Sequence, residues 1–103
     1  MTTTAPETAK TAVLRELQRL PNIGPSTALD LYDLGIRCVP DLKRQNPQRM
    51  YEQLMTQRGS HIDRCQLYVF RAAVYYAQTR EPDPVLVQWW KWSDKAVAMR
   101  SKQ

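Results

Sequence analysis

Apolar residues recur along this chain at the three- and four-residue spacing of amphipathic helices, and glycine and proline separate one such stretch from the next. The pattern predicts helices over residues 7–19, 25–34, 47–58, 62–79 and 85–92, and one short helical turn over 39–42. No stretch shows the sustained apolar-polar alternation of a strand. The chain is therefore predicted to be all-α, a compact domain of five or six short helices.

The stretch 62–79 is the longest without a helix breaker, although its aromatic and β-branched residues also favour strands. Because strands rarely exceed about ten residues, its length decides for a helix. At the helical repeat, Val69, Phe70, Ala73 and Ala77 share one face. We expect this segment to be the central helix of the core.

The 103 residues are enough for one domain, and a composition of 43% hydrophobic and 24% charged residues is typical of globular proteins. Residues 7–95 are predicted to form that domain, with disorder over 1–6 and a basic tail over 96–103. No apolar stretch is long enough to span a bilayer, and the N-terminus lacks the pattern of a signal peptide. A cytoplasmic location without membrane contact is the expectation.

The charge balance favours a polyanionic partner. The formal net charge is +5, the sequence pI is about 9.5, and arginine outnumbers lysine by ten to five. A guanidinium group can grip a phosphate through two hydrogen bonds, so an excess of arginine favours nucleic acid as the partner.

The segment 20–28, LPNIGPSTA, interrupts two amphipathic stretches with two prolines and one glycine. Gly24 is expected to adopt a positive φ, for which Asn22 is the next most suitable residue. Ile23 is expected to point into the core and to fix the turn. The result is a tight hairpin in which one proline stops the first helix and the other starts the second.

Such a short turn is predicted to leave backbone N–H groups directed outward at the start of a helix, an arrangement that favours anions. The expected donors are the N–H groups of Ile23, Gly24, Ser26 and Thr27. The basic residues expected near this hairpin are Arg15, Arg19 and Arg37. A hairpin that only folds the chain, without a ligand, is the alternative.

Residues 17–36, LQRLPNIGPSTALDLYDLGI, resemble a helix-hairpin-helix motif. Ile23 and Gly24 match the hydrophobic residue and second glycine of that motif, and Ala28 and Leu31 match its helix positions. The resemblance implies that the hairpin amides hold a phosphate of a nucleic-acid backbone without reading the bases.

The chain departs from the motif at two positions, since Asn22 replaces the first glycine and Ser26 replaces a lysine that often follows the hairpin. The second change removes a charge that would help to hold a phosphate. The predicted nucleic-acid site consists of Asn22, Ile23, Gly24, Ser26, Thr27, Arg19 and Arg37.

Residues 17–95 as a whole resemble the small pathogenicity-locus family, some members of which are labelled mitomycin-resistance proteins. The shared features are LPNIGP, LGIRCVPDL, the central CQLYVFRAAVYYA and the tryptophan-rich WWKW. A looser resemblance extends to the C-terminal domain of the competence regulator TfoX. The resemblance implies a helical fold and a nucleic-acid role linked to DNA repair or damage resistance.

A second basic stripe, which includes Arg64 and Arg71, interleaves arginine with tyrosine on the face of the central helix opposite its apolar residues. It is a candidate for following a sugar–phosphate backbone. The favoured interpretation is a half-exposed flank on which tyrosine rings cover apolar surface and arginines are solvated.

Other candidate chemistry is weak. His61 and Cys65 are four residues apart, but a zinc site would also need Cys38 and a fourth ligand, so no metal or other cofactor is expected. An enzyme is not expected either, with a reactive Cys65 thiol as a minor alternative. The three tryptophans of WWKW are expected to fill the core, and an exposed stacking surface is the alternative.

These observations favour a protein that binds DNA weakly and without sequence preference, through phosphate contacts at one hairpin. Tighter binding would need a homodimer or a protein partner with a second hairpin. The alternative is a protein-interaction adaptor with no nucleic-acid role.

Overall fold

The computed structural model describes residues 6–101, and these residues form helices joined by turns, without a strand. The α-helices are α1 (Pro6–Leu17), α2 (Pro25–Asp33), α3 (Pro47–Arg58), α4 (Cys65–Gln78) and α5 (Asp94–Ser101). Two 3₁₀ helices, Val39–Arg44 and Trp89–Trp92, precede α3 and α5. The predicted all-α fold is confirmed. None of the described helices has the length and apolar character needed to cross a membrane.

The core surrounds α4, which packs against α3 and against both 3₁₀ helices. Phe70, Ala73 and Ala77 are buried as predicted, whereas Val69 is only partly buried. The largest fully buried side chains come from every part of the fold before the end of α4: Leu17, Leu31, Ile36, Leu42, Leu54, Leu67 and Phe70. The central position of this helix is therefore as expected from its apolar face.

Side-chain oxygens accept backbone N–H groups at the starts of α3 and α4. Asn46 Oδ1 accepts the N–H of Arg49 at 3.2 Å before Pro47, and this makes α3 begin where its sequence predicts. Asp63 Oδ1 accepts the N–H of Cys65 at 2.8 Å. Helix α4 follows directly, with Arg64 at its N-cap, and begins three residues later than the expected start at residue 62.

The closing segment differs from its prediction, because residues 85–92 are not one α-helix. Asp83 accepts the N–H groups of Val85 and Val87 and closes a single turn. Gln88 then adopts an extended backbone, and the 3₁₀ helix follows directly. The tryptophan rings of the 3₁₀ helix pack onto tyrosines of α4, and this packing outweighs continuation of an α-helix.

The two ends of the predicted domain fall close to the ends of the described chain. Helix α5 occupies 94–101, so the proposed boundary at residue 95 lies inside a helix, and Ser93 Oγ caps its first turn by accepting the N–H of Ala96 at 3.1 Å. The disorder predicted for 1–6 concerns residues that, apart from Pro6 at the start of α1, lie outside the described part. Residues 102–103 of the predicted tail lie outside it as well.

Candidate nucleic-acid interface

The turn between α1 and α2 places its positive φ at Asn22 and not at Gly24. Asn22 has φ 70°, whereas Gly24 has φ −93° and ψ −173°, an extended conformation open to any residue. Asparagine tolerates the left-handed region, and its Nδ2 donates to the carbonyl oxygen of Val87 at 2.6 Å. The expectation for Gly24 is therefore wrong, because a contact from the far end of the chain favours Asn22 at that position of the turn.

Apolar side chains hold the hairpin in the core from both sides. Leu20 and Ile23 in the turn are buried, together with Ala28 and Leu31 on α2. The expected inward position of Ile23 is confirmed. The turn is thus a fixed structure whose backbone has a defined orientation at the start of α2.

Three of the four expected donors in the hairpin have no partner among the described residues. The N–H groups of Gly24, Ser26 and Thr27 make no hydrogen bond there, and α2 begins its bonding with Ala28 N–H to Gly24 O at 2.9 Å. A Cβ atom built at Gly24 would meet no heavy atom within 4 Å, so the adjacent space is open. We call these three groups the hairpin amides.

The fourth expected donor does not belong to this set. Ile23 N–H donates to Leu20 O at 3.3 Å and closes the turn. Ile23 therefore contributes to the hairpin through its buried side chain only, and the Asn22 side-chain amide is occupied by Val87. Both residues shape the turn, and the N–H of Ile23 is not available as the donor that was expected.

The two arginines of the predicted nucleic-acid site lie on opposite sides of α2 along the chain. Arg19 precedes the hairpin with 80% of its side chain exposed and a loose ion pair to Glu16 at 3.6 Å. Arg37 lies beyond the other end of α2, where its Nη1 donates to Tyr32 O at 2.7 Å and its guanidinium lies 3.6 Å from the Tyr32 ring centre. Since nine helical residues span about 12 Å, Arg37 does not join the hairpin amides.

The second basic stripe is occupied by an internal carboxylate. Asp94 binds Arg64 at 2.5 and 3.0 Å and Arg71 at 3.0 Å, and Tyr68 also donates to it at 3.2 Å. The Arg64 guanidinium holds the pKa of the Asp94 carboxyl well below its usual range, and the Arg71 guanidinium adds a smaller effect in the same direction. These contacts join α4 to α5, so the two arginines are paired within the fold and not solvated as the favoured interpretation expected.

The tryptophans lie outside the core, contrary to the favoured interpretation. Trp89 stacks on Tyr68 with ring centres 6.5 Å apart, and Trp92 packs against Tyr75 at 5.3 Å. A 3₁₀ helix has three residues per turn, so Trp89 and Trp92 lie on one side and Trp90 does not. Trp90 is 52% exposed, and none of the three is buried.

The sequence pattern of the Cdd1 pathogenicity-locus family matches residues 10–98. The chain belongs to this family. The match includes the hairpin, α4 and the 3₁₀ helix Trp89–Trp92, which we call the tryptophan segment. The resemblance to the pathogenicity-locus family is therefore confirmed. No curated protein and no solved structure matches the chain.

Neither cysteine of this pathogenicity-locus protein is part of a disulfide. The described residues contain no cluster of three potential metal ligands. The hydrogen bond to the Asp63 carboxylate raises the pKa of the exposed Cys65 thiol, the opposite of what a reactive thiolate needs. Cys38 is half-buried and forms no disulfide.

Two important contacts of this family member could not be read from local sequence. Asn22 meets Val87 across 65 positions, and Arg64 meets Asp94 across 30. Neither pair has the spacing of a motif. The only local signal was the tolerance of asparagine for a positive φ, which identified Asn22 as a turn residue but not its partner.

Proposed function

We propose that this pathogenicity-locus protein binds DNA without sequence preference, through a backbone phosphate held on the hairpin amides. The observation that carries the proposal is the set of three N–H groups at the start of α2 that have no partner in the described chain. Such groups, together with the positive end of the helix dipole, favour an oxyanion. The short turn between α1 and α2, with Leu20 and Ile23 buried beneath it, supports its assignment as a helix-hairpin-helix.

The charges around the hairpin support the same proposal. Arg15 and Arg19 are exposed near the end of α1, and no acidic residue occurs between positions 17 and 29. The nearest carboxylate on α2 is Asp30, which is paired with Arg58 at 2.6 Å. The exposed hydroxyl group of Ser26 adds a donor of the kind that commonly contacts phosphate.

Salt dependence tests the proposal at its simplest. One hairpin makes few phosphate contacts, so we expect weak binding to duplexes of mixed sequence, with similar affinity for each sequence. The logarithm of the binding constant should fall with the logarithm of salt concentration by about 0.9 per phosphate contacted. Fluorescence anisotropy at two salt concentrations measures this slope. An absence of binding at low salt would contradict the proposal.

Gly24→Glu tests where the phosphate binds. The extended backbone and open space at Gly24 accept a side chain, so the variant should fold, and its carboxylate should repel phosphate from the hairpin amides. We expect binding to be lost. The control is Gln53→Glu, which makes the same change of charge at an exposed position on α3. Equal losses of affinity in the two variants would show that the hairpin is not the site.

A protein-interaction adaptor is the second candidate, and the exposed apolar side chains favour it. The largest of these are Leu29, Val85, Trp90 and Met99. Exposed tryptophan is common at the centres of protein interfaces. A folded protein that binds no DNA at low salt would make this the better candidate.

A further inference from the structure

Trp90 has a position that the phosphate contact alone leaves unexplained. With 52% of its surface exposed, it is the most exposed aromatic residue of the described chain. Its indole N–H makes no hydrogen bond within that part of the chain, whereas Trp92 Nε1 donates to Leu86 O at 2.6 Å. A half-exposed indole without an internal partner is free to contact a ligand.

Trp90 is also held in a defined orientation. Its ring meets Trp89 edge-on, with ring centres 5.9 Å apart and an interplanar angle of 85°. Trp89 in turn lies nearly parallel to Tyr68 on the central helix, at 15°. Because this series of rings leads back to α4, Trp90 loses little further conformational freedom when a ligand stacks on it.

The tryptophan segment lies close to the hairpin. Asn22 Nδ2 binds the carbonyl oxygen of Val87 at 2.6 Å, which joins the closing segment to the turn. Trp90 follows Val87 by three residues, a span of at most about 11 Å. The phosphate site and the exposed indole are therefore within reach of one short strand of nucleic acid.

The charges beside Trp90 fit a polyanion. Lys91 and Lys95 follow it in sequence, and the single carboxylate between them, Asp94, is occupied by Arg64 and Arg71. An apolar protein partner would leave these ammonium groups without counter-charges. A strand of unpaired nucleotides offers phosphates for the cations and flat bases for the indole.

We infer that the hairpin and Trp90 together form a site for single-stranded or unpaired DNA, with a base stacked on Trp90 beside the bound phosphate. This inference rests on the proposed function and specifies its substrate. In duplex DNA both faces of each base are covered by neighbouring bases, and unstacking one costs free energy. Unpaired strands do not have this cost, so they bind more tightly than duplex.

The test compares single strands of about 12 nucleotides, a length that covers one site, with and without bases. An abasic strand keeps the phosphates but offers nothing to stack on. We expect the base-bearing strand to bind about tenfold more tightly, in the range found for stacking on one aromatic residue. Equal affinities for the two strands would overturn the inference without any mutation.

Variants at Trp90 locate the effect. Trp90→Ala should remove the difference between the two strands, and Trp90→Phe should retain most of it because a smaller ring remains. Val85→Ala is the matched control, since Val85 is 51% exposed on the same closing segment and has no ring. The control should leave the difference unchanged. An equal loss by Trp90→Ala on both strands would overturn the stacking role.

The arms of the experiment separate this inference from the proposed function. One outcome is that Gly24→Glu abolishes binding of both the abasic strand and duplex, while the base-bearing strand binds no more tightly than the abasic one. The phosphate site is then supported and the stacking role is wrong. If binding survives Gly24→Glu but depends on Trp90 and on bases, the hairpin function fails and a separate stacking surface is left. If no nucleic acid binds, both are overturned and the aromatic surface is better explained as a protein interface.

Discussion

Gly24 and Gly59 both border helices, but their backbone φ angles differ in a way that the neighbouring sequence does not indicate. Gly59 ends α3 with φ 69°, the left-handed conformation that a side chain disfavours. Gly24 precedes α2 with φ −93° and open space around the position of a Cβ atom. Substitution should therefore be much less costly at Gly24 than at Gly59.

We expect Gly59→Ala to lower the free energy of unfolding by about 1 kcal/mol, because alanine is strained at positive φ. Gly24→Ala should change it by no more than about 0.5 kcal/mol, since alanine fits this extended backbone and restricts the unfolded chain but is a weaker N-cap than glycine. Urea unfolding of both variants measures the contrast. A destabilisation by Gly24→Ala as large as that by Gly59→Ala would mean that Gly24 is left-handed after all.

At the scale of elements, Asp94 at the start of α5 is the contact that joins the closing segment to the central helix. It accepts hydrogen bonds from Arg64, Tyr68 and Arg71, and its pKa in the folded protein lies below its ordinary value. Its contribution to stability is therefore complete above the ordinary carboxyl pKa of about 4 and is lost as pH falls below that value.

A comparison of the wild type with Asp94→Asn tests this pH dependence. From about pH 5 to pH 2, the wild type should lose more free energy of unfolding than the variant, because only the wild type has the Asp94 carboxylate to protonate. Since Asp94 and Arg64 are both nearly half exposed, solvent screening keeps the difference small. Parallel stability curves for the two proteins over this range would contradict a role of the Asp94 charge.

The elements themselves could be predicted from the sequence to different degrees. The caps at Asn46 and Gly59 are local signals, and they located α3 correctly. The tryptophan segment has the length and spacing of a short α-helix, and only its packing against tyrosines of α4 makes it a 3₁₀ helix. Tertiary contacts of this kind leave no periodic pattern in the chain.

At the scale of the whole molecule, long-range polar contacts decide which predicted site residues can act together. The hairpin amides could be predicted from the prolines and glycine of the turn, but the same prediction wrongly included the N–H of Ile23, which closes the turn. The internal partners of Arg37, Arg64 and Arg71 could not be predicted, because a carbonyl oxygen of α2 and the carboxylate of Asp94 meet them only in the folded chain. Charge alone made these arginines candidates, and internal partners account for their positions.

Amide chemical shifts of Gly24, Ser26 and Thr27 give the most direct measurement of phosphate binding at the hairpin. An isotope-labelled sample is titrated with a short DNA strand at low salt and again at high salt. The largest changes should occur at these three amides, with the Ile23 amide less affected because it is already bonded to Leu20. The changes should disappear at high salt. DNA binding that leaves the three amides unchanged would contradict the proposed site.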